Sequence, residues 1–143
     1  MKVKELNEQI VSGMERWEKI EDGAFVSTAR IIEKTDNPFI RLVMQIIQRD
    51  TGMHHAVQEW IARSIAGDAA ALSYDDMDRV WNQVEQHMEA ERQMMTMVKE
   101  MLAAVKGKRM VMQEYLLNFL LEDETKHANL LSRLEQIKMG LLP

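Results

Sequence analysis

Apolar residues recur every three or four positions along four stretches of this chain, and short polar punctuation separates the stretches. In the first, from about residue 2 to 34, Ile10, Met14, Trp17, Ala24, Thr28 and Ile31 share one helical face. It ends at Thr35-Asp36-Asn37-Pro38. There Asn37 is placed to cap the next helix, and Pro38 to take its first position, where a missing N–H costs nothing. The second stretch, about 38–66, carries Ile40, Val43, Ile47, Val57, Ile61 and Ile65 and stops at Gly67. Ser73, with Asp76 three residues on, resembles a capping box and opens a third helix over about 74–106. Val80, Val84, Met94, Val98, Met101 and Val105 are its inward positions, and Gly107 breaks it. The fourth, about 108–139, turns Leu117, Leu121, Ala128, Leu131 and Leu134 inward, and Gly140 is expected to close it. Four amphipathic helices with short links predict an all-α chain forming a single four-helix-bundle domain.

Composition narrows the picture. Six glycines and two prolines in 143 residues are too few for a turn-rich β-sandwich. The absence of cysteine excludes disulfides, thiolate zinc sites, iron–sulfur clusters and a cysteine nucleophile. A net charge of −5 argues against a nucleic-acid partner, since the only basic knot is Lys106, Lys108 and Arg109 beside a turn. No apolar run approaches the ~20 residues that span a bilayer. The opening MKVKELNEQI lacks the apolar core of a signal peptide, so no membrane partner and a cytoplasmic setting are expected. The thirteen methionines read as adaptable core filling, and Trp17, Trp60 and Trp81 as core or interface. Apolar spill at Trp60, Ile65 and Leu72 predicts a homodimer.

The chemistry lies in what interrupts the apolar faces. The inward series of the first helix lands on Glu21, and that of the second on Asp50, Thr51 and His54. The third lands on His87 and Glu91, the fourth on Glu124 and His127. His55 and Glu122 point away and read as surface residues. One buried carboxylate costs several kcal/mol unless it is paired or ligated. A lone inward histidine is ordinarily hydrogen-bonded packing, and a lone glutamate can snorkel. Four helices interrupted near their middles are a different matter, because a set of acids at one level is stable only around positive charge. Glutamate oxygen and histidine nitrogen suit iron, manganese or zinc. A metal-free polar layer is the alternative.

Helices two and four echo each other. Arg49-Asp50-Thr51-Gly52-Met53-His54-His55-Ala56 aligns with Glu122-Asp123-Glu124-Thr125-Lys126-His127-Ala128-Asn129, matching Asp50 to Asp123 and His54 to His127. Glu21 precedes one copy and Glu91 the other; Glu21 and Glu91 are 70 residues apart, His54 and His127 73. This helix-pair repeat places a metal site on its pseudo-twofold axis. In these residues the chain resembles the ferritin-like di-iron carboxylate superfamily, rubrerythrin-like proteins above all, whose pattern is a Glu on one helix and Glu-x-x-His on the next, used twice. The resemblance covers essentially the whole chain. It implies Glu21, His54, Glu91, Glu124 and His127 as ligands of iron. It also implies outer hydrogen-bonding positions for Asp50 and Asp123, which in the family steady a ligating histidine of the opposite pair.

Three departures qualify the resemblance. Thr51 occupies the Glu position of helix two, so one carboxylate is missing. Asp50 is adjacent but rotated by about 100°, and His87, one turn before Glu91, is a candidate replacement ligand. The outcome is an asymmetric di-metal site, a mono-metal site or a weakened one, with manganese or zinc as alternatives to iron. The lack of cysteine removes any rubredoxin-type centre for electron entry. Finally, the family joins its second and third helices by a crossover of on the order of 40 Å, whereas seven residues from Gly67 to Ser73 reach ~24 Å at most. Either residues up to about Arg79 are extended, or the bundle is up-down-up-down. The function expected is metal binding with oxidase, peroxidase or iron-handling chemistry, using an oxidant or electron donor that the sequence does not name. The alternative is a helical interaction protein that kept the fold and lost the chemistry.

Overall fold

The computed structural model describes residues 1–67 and 71–142. They form four α-helices, with no strand among them: α1 Val3–Lys34, α2 Pro38–Ala66, α3 Tyr74–Val105 and α4 Val111–Gly140. The expected all-α, four-helix chain is what forms, and its punctuation works locally as its chemistry dictates. Asn37 Oδ1 accepts the backbone N–H groups of Phe39 (3.0 Å) and Ile40 (3.1 Å), satisfying donors that the first turn of α2 leaves free. Ser73 Oγ accepts Asp76 N–H at 3.1 Å while Asp76 Oδ2 accepts Ser73 N–H at 3.0 Å, a reciprocal box at the start of α3. At the end of α2, Gly67 takes φ +98°, a left-handed conformation in which its N–H reaches the Arg63 carbonyl.

The chain divides into two compact units, Met1–Ala71 and Leu72–Pro143, and each is a helical hairpin. In the first, the Arg41 guanidinium donates to the carbonyls of Ile32 (2.9 Å) and Thr35 (3.1 Å), tying the start of α2 to the end of α1. In the second, the Lys138 ammonium lies about 5 Å over the rings of Tyr74 and Trp81 and 3.8 Å from Asp78, fixing the end of α4 against the start of α3.

The seam of the first hairpin buries Glu21 and Thr28 on α1 and Thr51 and Gln58 on α2. That of the second buries Met77, Trp81, Glu91 and Val98 of α3. Met14, Val43, Ile61 and Ile65 and the five inward positions of α4 are half-buried, as their stripes predict. Other stripe positions are not covered. Trp17, Ile31, Ile40, Ile47, Val57, Val80, Met94 and Met101 are exposed. The reason is geometric: within a hairpin each helix buries only a narrow strip against its partner, and these apolar arcs are wider than that strip. The methionines follow suit. Met77 is buried, but Met53, Met97, Met112 and Met139 are exposed, so core filling describes only part of the set. Of the tryptophans, Trp81 alone is buried.

Two boundaries differ from the sequence expectation. Helix α4 starts at Val111 rather than 108, because Gly107 (φ +75°) and Arg109 (φ +58°) both take left-handed backbone and hold 106–109 as a turn. Gly140 is the last residue of α4 and does not terminate it by a left-handed twist; Leu141, in a helical conformation, is the cap. Residues 74–79 are helical, not extended. Residues 68–70 of the link, on which the expected connectivity turned, lie outside the described residues. No described helix is long and apolar enough to cross a membrane.

Candidate metal centre

Each hairpin carries one polar cluster at mid-length, and the two clusters are built from repeat-related residues. In the α3–α4 hairpin, Glu91 is 2% exposed. Its Oε1 stands 2.8 Å from His87 Nε2, one turn back on α3, and 3.3 Å from His127 Nδ1 on α4. Glu124 lies one turn before His127, which brings its Oε2 to 3.7 Å from the same Nδ1. One ligand-type atom from each of Glu91, Glu124 and His127 falls within 4.8 Å of the others, a grouping that could hold a metal ion.

The imidazole is oriented from its far side. His127 Nε2 is 3.5 Å from Asp123 Oδ2, and Asp123 is in turn 2.7 Å from the Lys126 ammonium. Carboxylates face both ring nitrogens; a cation on Nδ1 would leave the proton on Nε2, where Asp123 is placed to accept it. Asp123 thus addresses the histidine of its own helix, where the family resemblance implies one of the opposite pair.

Hydrogen bonding identifies what this cluster lacks. Glu91 Oε2 and Glu124 Oε2 are both buried and neither has a hydrogen-bond partner. Buried carboxylate oxygens are nearly always satisfied, and two carboxylates with ligand-type oxygens within 4.8 Å of each other repel in a medium of low dielectric. Both deficits are met by one cation, so the residues present fit a metal.

The α1–α2 hairpin is built differently. Glu21 Oε1 accepts the indole N–H of Trp17 at 3.1 Å and the amide N–H of Gln58 at 3.4 Å, and lies 3.1 Å from His54 Nδ1. Thr51 is buried beside them in the position that Glu124 takes in the other hairpin. Asp50 is exposed. His55, expected at the surface, is half-buried, with Nδ1 inaccessible and 3.7 Å from Asp22 Oδ1.

The sequence-predicted residues therefore gather in two sets: Glu91, Glu124, His127, His87 and Asp123 in one hairpin, Glu21, His54 and Thr51 in the other. Sequence reasoning passed over Trp17 as a hydrogen-bond donor and Gln58 altogether. A signal existed for both, since Trp17 stands four residues before Glu21 as His87 does before Glu91, and Gln58 follows His54 by one turn. Comparison with protein-family models, with curated proteins and with solved structures finds no match for this chain.

Proposed function

We propose that this chain is a ferritin-like metal-binding protein whose ion, iron foremost, is held by Glu91, Glu124 and His127. One observation carries the reading: Glu91 and Glu124, each with a buried oxygen that has no hydrogen-bond partner, converge with His127, whose far nitrogen faces Asp123 at 3.5 Å. Mixed carboxylate and imidazole donors suit iron, manganese or zinc in preference to soft copper(I). Iron is favoured among them by the resemblance of Glu91 and Glu124-x-x-His127 to the di-iron carboxylate pattern.

Three protein ligands leave coordination positions open. Bound iron would supply redox chemistry toward a small oxidant there, the basis of an oxidase, peroxidase or iron-handling role. The residues themselves set its conditions. Glu91 and Glu124 neutralise a dication, Asp123 keeps His127 in its ligating tautomer, and His87 holds Glu91 Oε1 by hydrogen bonding. Elemental analysis of the full chain purified from iron-supplemented medium tests the reading. Near-stoichiometric iron is expected; a chain carrying only traces of iron, manganese and zinc overturns it.

A second reading, a metal-free helical interaction protein, draws on the α1–α2 hairpin, where Thr51 replaces the glutamate and the remaining carboxylate is hydrogen-bonded. The exposed apolar residues Ile40, Ile47 and Val57 of α2 suit a helical partner, a second copy among them. Chelation separates the two readings, because an interaction protein unfolds at the same temperature with or without metal.

A further inference from the structure

We infer that each chain binds a single metal ion, in the α3–α4 hairpin alone, and that the α1–α2 copy of the site is closed by hydrogen bonds in place of metal. This rests on the reading above that Glu91, Glu124 and His127 are ligands. It departs from the symmetric ligand set that the family resemblance implies, in which Glu21 and His54 also bind metal.

The two copies differ at three matched positions. Four residues before the helix-one glutamate stands Trp17; four before its counterpart Glu91 stands His87. The indole N–H donates to Glu21 Oε1 at 3.1 Å, and an indole nitrogen has no lone pair to offer a metal. Four residues after His54 comes Gln58, 2% exposed, whose amide N–H donates to the same oxygen; four after His127 comes Leu131, which has nothing to donate. Where the second copy has Glu124, the first has the neutral Thr51.

All three differences act in one direction. The first copy holds one carboxylate, and its inward oxygen is served by two N–H dipoles with their positive ends toward it, beside His54 Nδ1. A cation placed on that oxygen would meet those dipoles head on, and would find no second anion to share its charge. The one orphaned polar atom among this cluster is the neutral carbonyl of Gln58. The second copy holds two carboxylates and lacks the glutamine. It leaves one oxygen of each carboxylate buried and unpartnered. A dication balances the second arrangement and over-charges the first.

The test uses the full chain, stripped of metal and titrated with Co(II), with ions per chain counted by native mass spectrometry and affinity read from the cobalt absorption. One ion per chain is expected for the wild type. Glu21→Gln and His54→Ala should keep that ion, with Kd within about threefold of wild type. Glu124→Gln and His127→Ala should weaken it by more than about a hundredfold, beyond what loss of an outer hydrogen bond costs. Circular dichroism establishes that each variant is folded. If Glu21→Gln is not, His54→Ala decides, because the His54 side chain is more than half exposed. Two ions per wild-type chain, or loss of the ion in folded His54→Ala, overturns the inference and leaves metal binding standing. No ion on the wild type overturns the metal reading itself.

Discussion

Trp17 donates its indole N–H to Glu21 Oε1 across one turn of α1, at 3.1 Å. The bond settles part of the charge of a glutamate that is almost wholly buried. Trp17→Phe keeps an aromatic ring on α1 and deletes the donor. It is expected to destabilise the chain by about 0.5–1.5 kcal/mol, the net worth of one hydrogen bond, because Gln58 and His54 still serve the same oxygen. Urea unfolding measures this, and the loss should be the same in chelator and in added zinc, because Trp17 serves a cluster that takes no ion. A loss that appears only with metal present would place Trp17 in a metal site.

In the other hairpin the sign of a carboxylate deletion should depend on metal. Without an ion, Glu91 and Glu124 bring two carboxylates within 4.8 Å, each with a buried oxygen that has no partner, and Glu124→Gln removes one of the two charges. Metal-free Glu124→Gln is therefore expected to be more stable than the wild type by about 1 kcal/mol or more. With zinc at ~100 times its Kd the wild type gains ~2.7 kcal/mol by mass action and the variant does not, so the order reverses. Thermal melts of both proteins in chelator and in zinc read the crossing directly. Parallel shifts of the two proteins would contradict it.

How far the sequence reveals this molecule depends on whether a feature is local. The caps at Asn37 and Ser73 involve residues two or three apart, so their spacing fixes their geometry, and both form. Glu21, Glu91, Glu124 and His127 are legible as acids and a base out of place on apolar stripes. Trp17 and Gln58 carry only the weaker signal of their spacing from Glu21 and His54, because a large apolar ring and a neutral amide are unremarkable at such positions until their donors are seen to point at Glu21. Nor does periodicity tell which edge of a wide apolar arc meets the partner helix. Ile40 and Ile47 lie on the expected stripe yet are exposed, while Gln58, about 100° around the helix from Val57, is buried. The start of α4 is hidden for another reason: Arg109 takes a left-handed conformation that its side chain does not advertise.

The start of α3 supplies a pH dependence. The backbone N–H of Ser73 and then its hydroxyl hold the Asp76 carboxyl below its ordinary value. A carboxyl with a depressed folded value stabilises the fold where it is ionised in both states, above about pH 4, and loses that contribution as pH falls through the folded value. Asp76→Asn should accordingly lower the Tm at neutral pH, with the gap to wild type closing as the medium is acidified well below about pH 4. Thermal unfolding followed by circular dichroism across that range checks it. A gap that widens in acid would carry the wrong sign for this box.

The turn between α3 and α4 offers a test of backbone conformation uncoupled from the site. Gly107 sits at φ +75°, and a Cβ built there meets nothing within 4 Å, so any cost of adding one comes from the backbone and not from a clash. Gly107→Ala is expected to destabilise by about 1–2 kcal/mol, the ordinary penalty for a side chain in left-handed backbone. Gly107→Asn should lose less, since asparagine tolerates that conformation. The urea midpoint should fall in that order with the slope of the transition unchanged, as for a change in stability without a change in the surface exposed. Co(II) affinity should stay at the wild-type value in both variants, because Glu91, Glu124 and His127 are set by helical spacing and by contacts across the middle of the hairpin, several turns from residue 107. If either substitution weakened cobalt binding, the turn would be setting the register of α4 against α3. Mid-helix contacts would then not be enough to place the ligands.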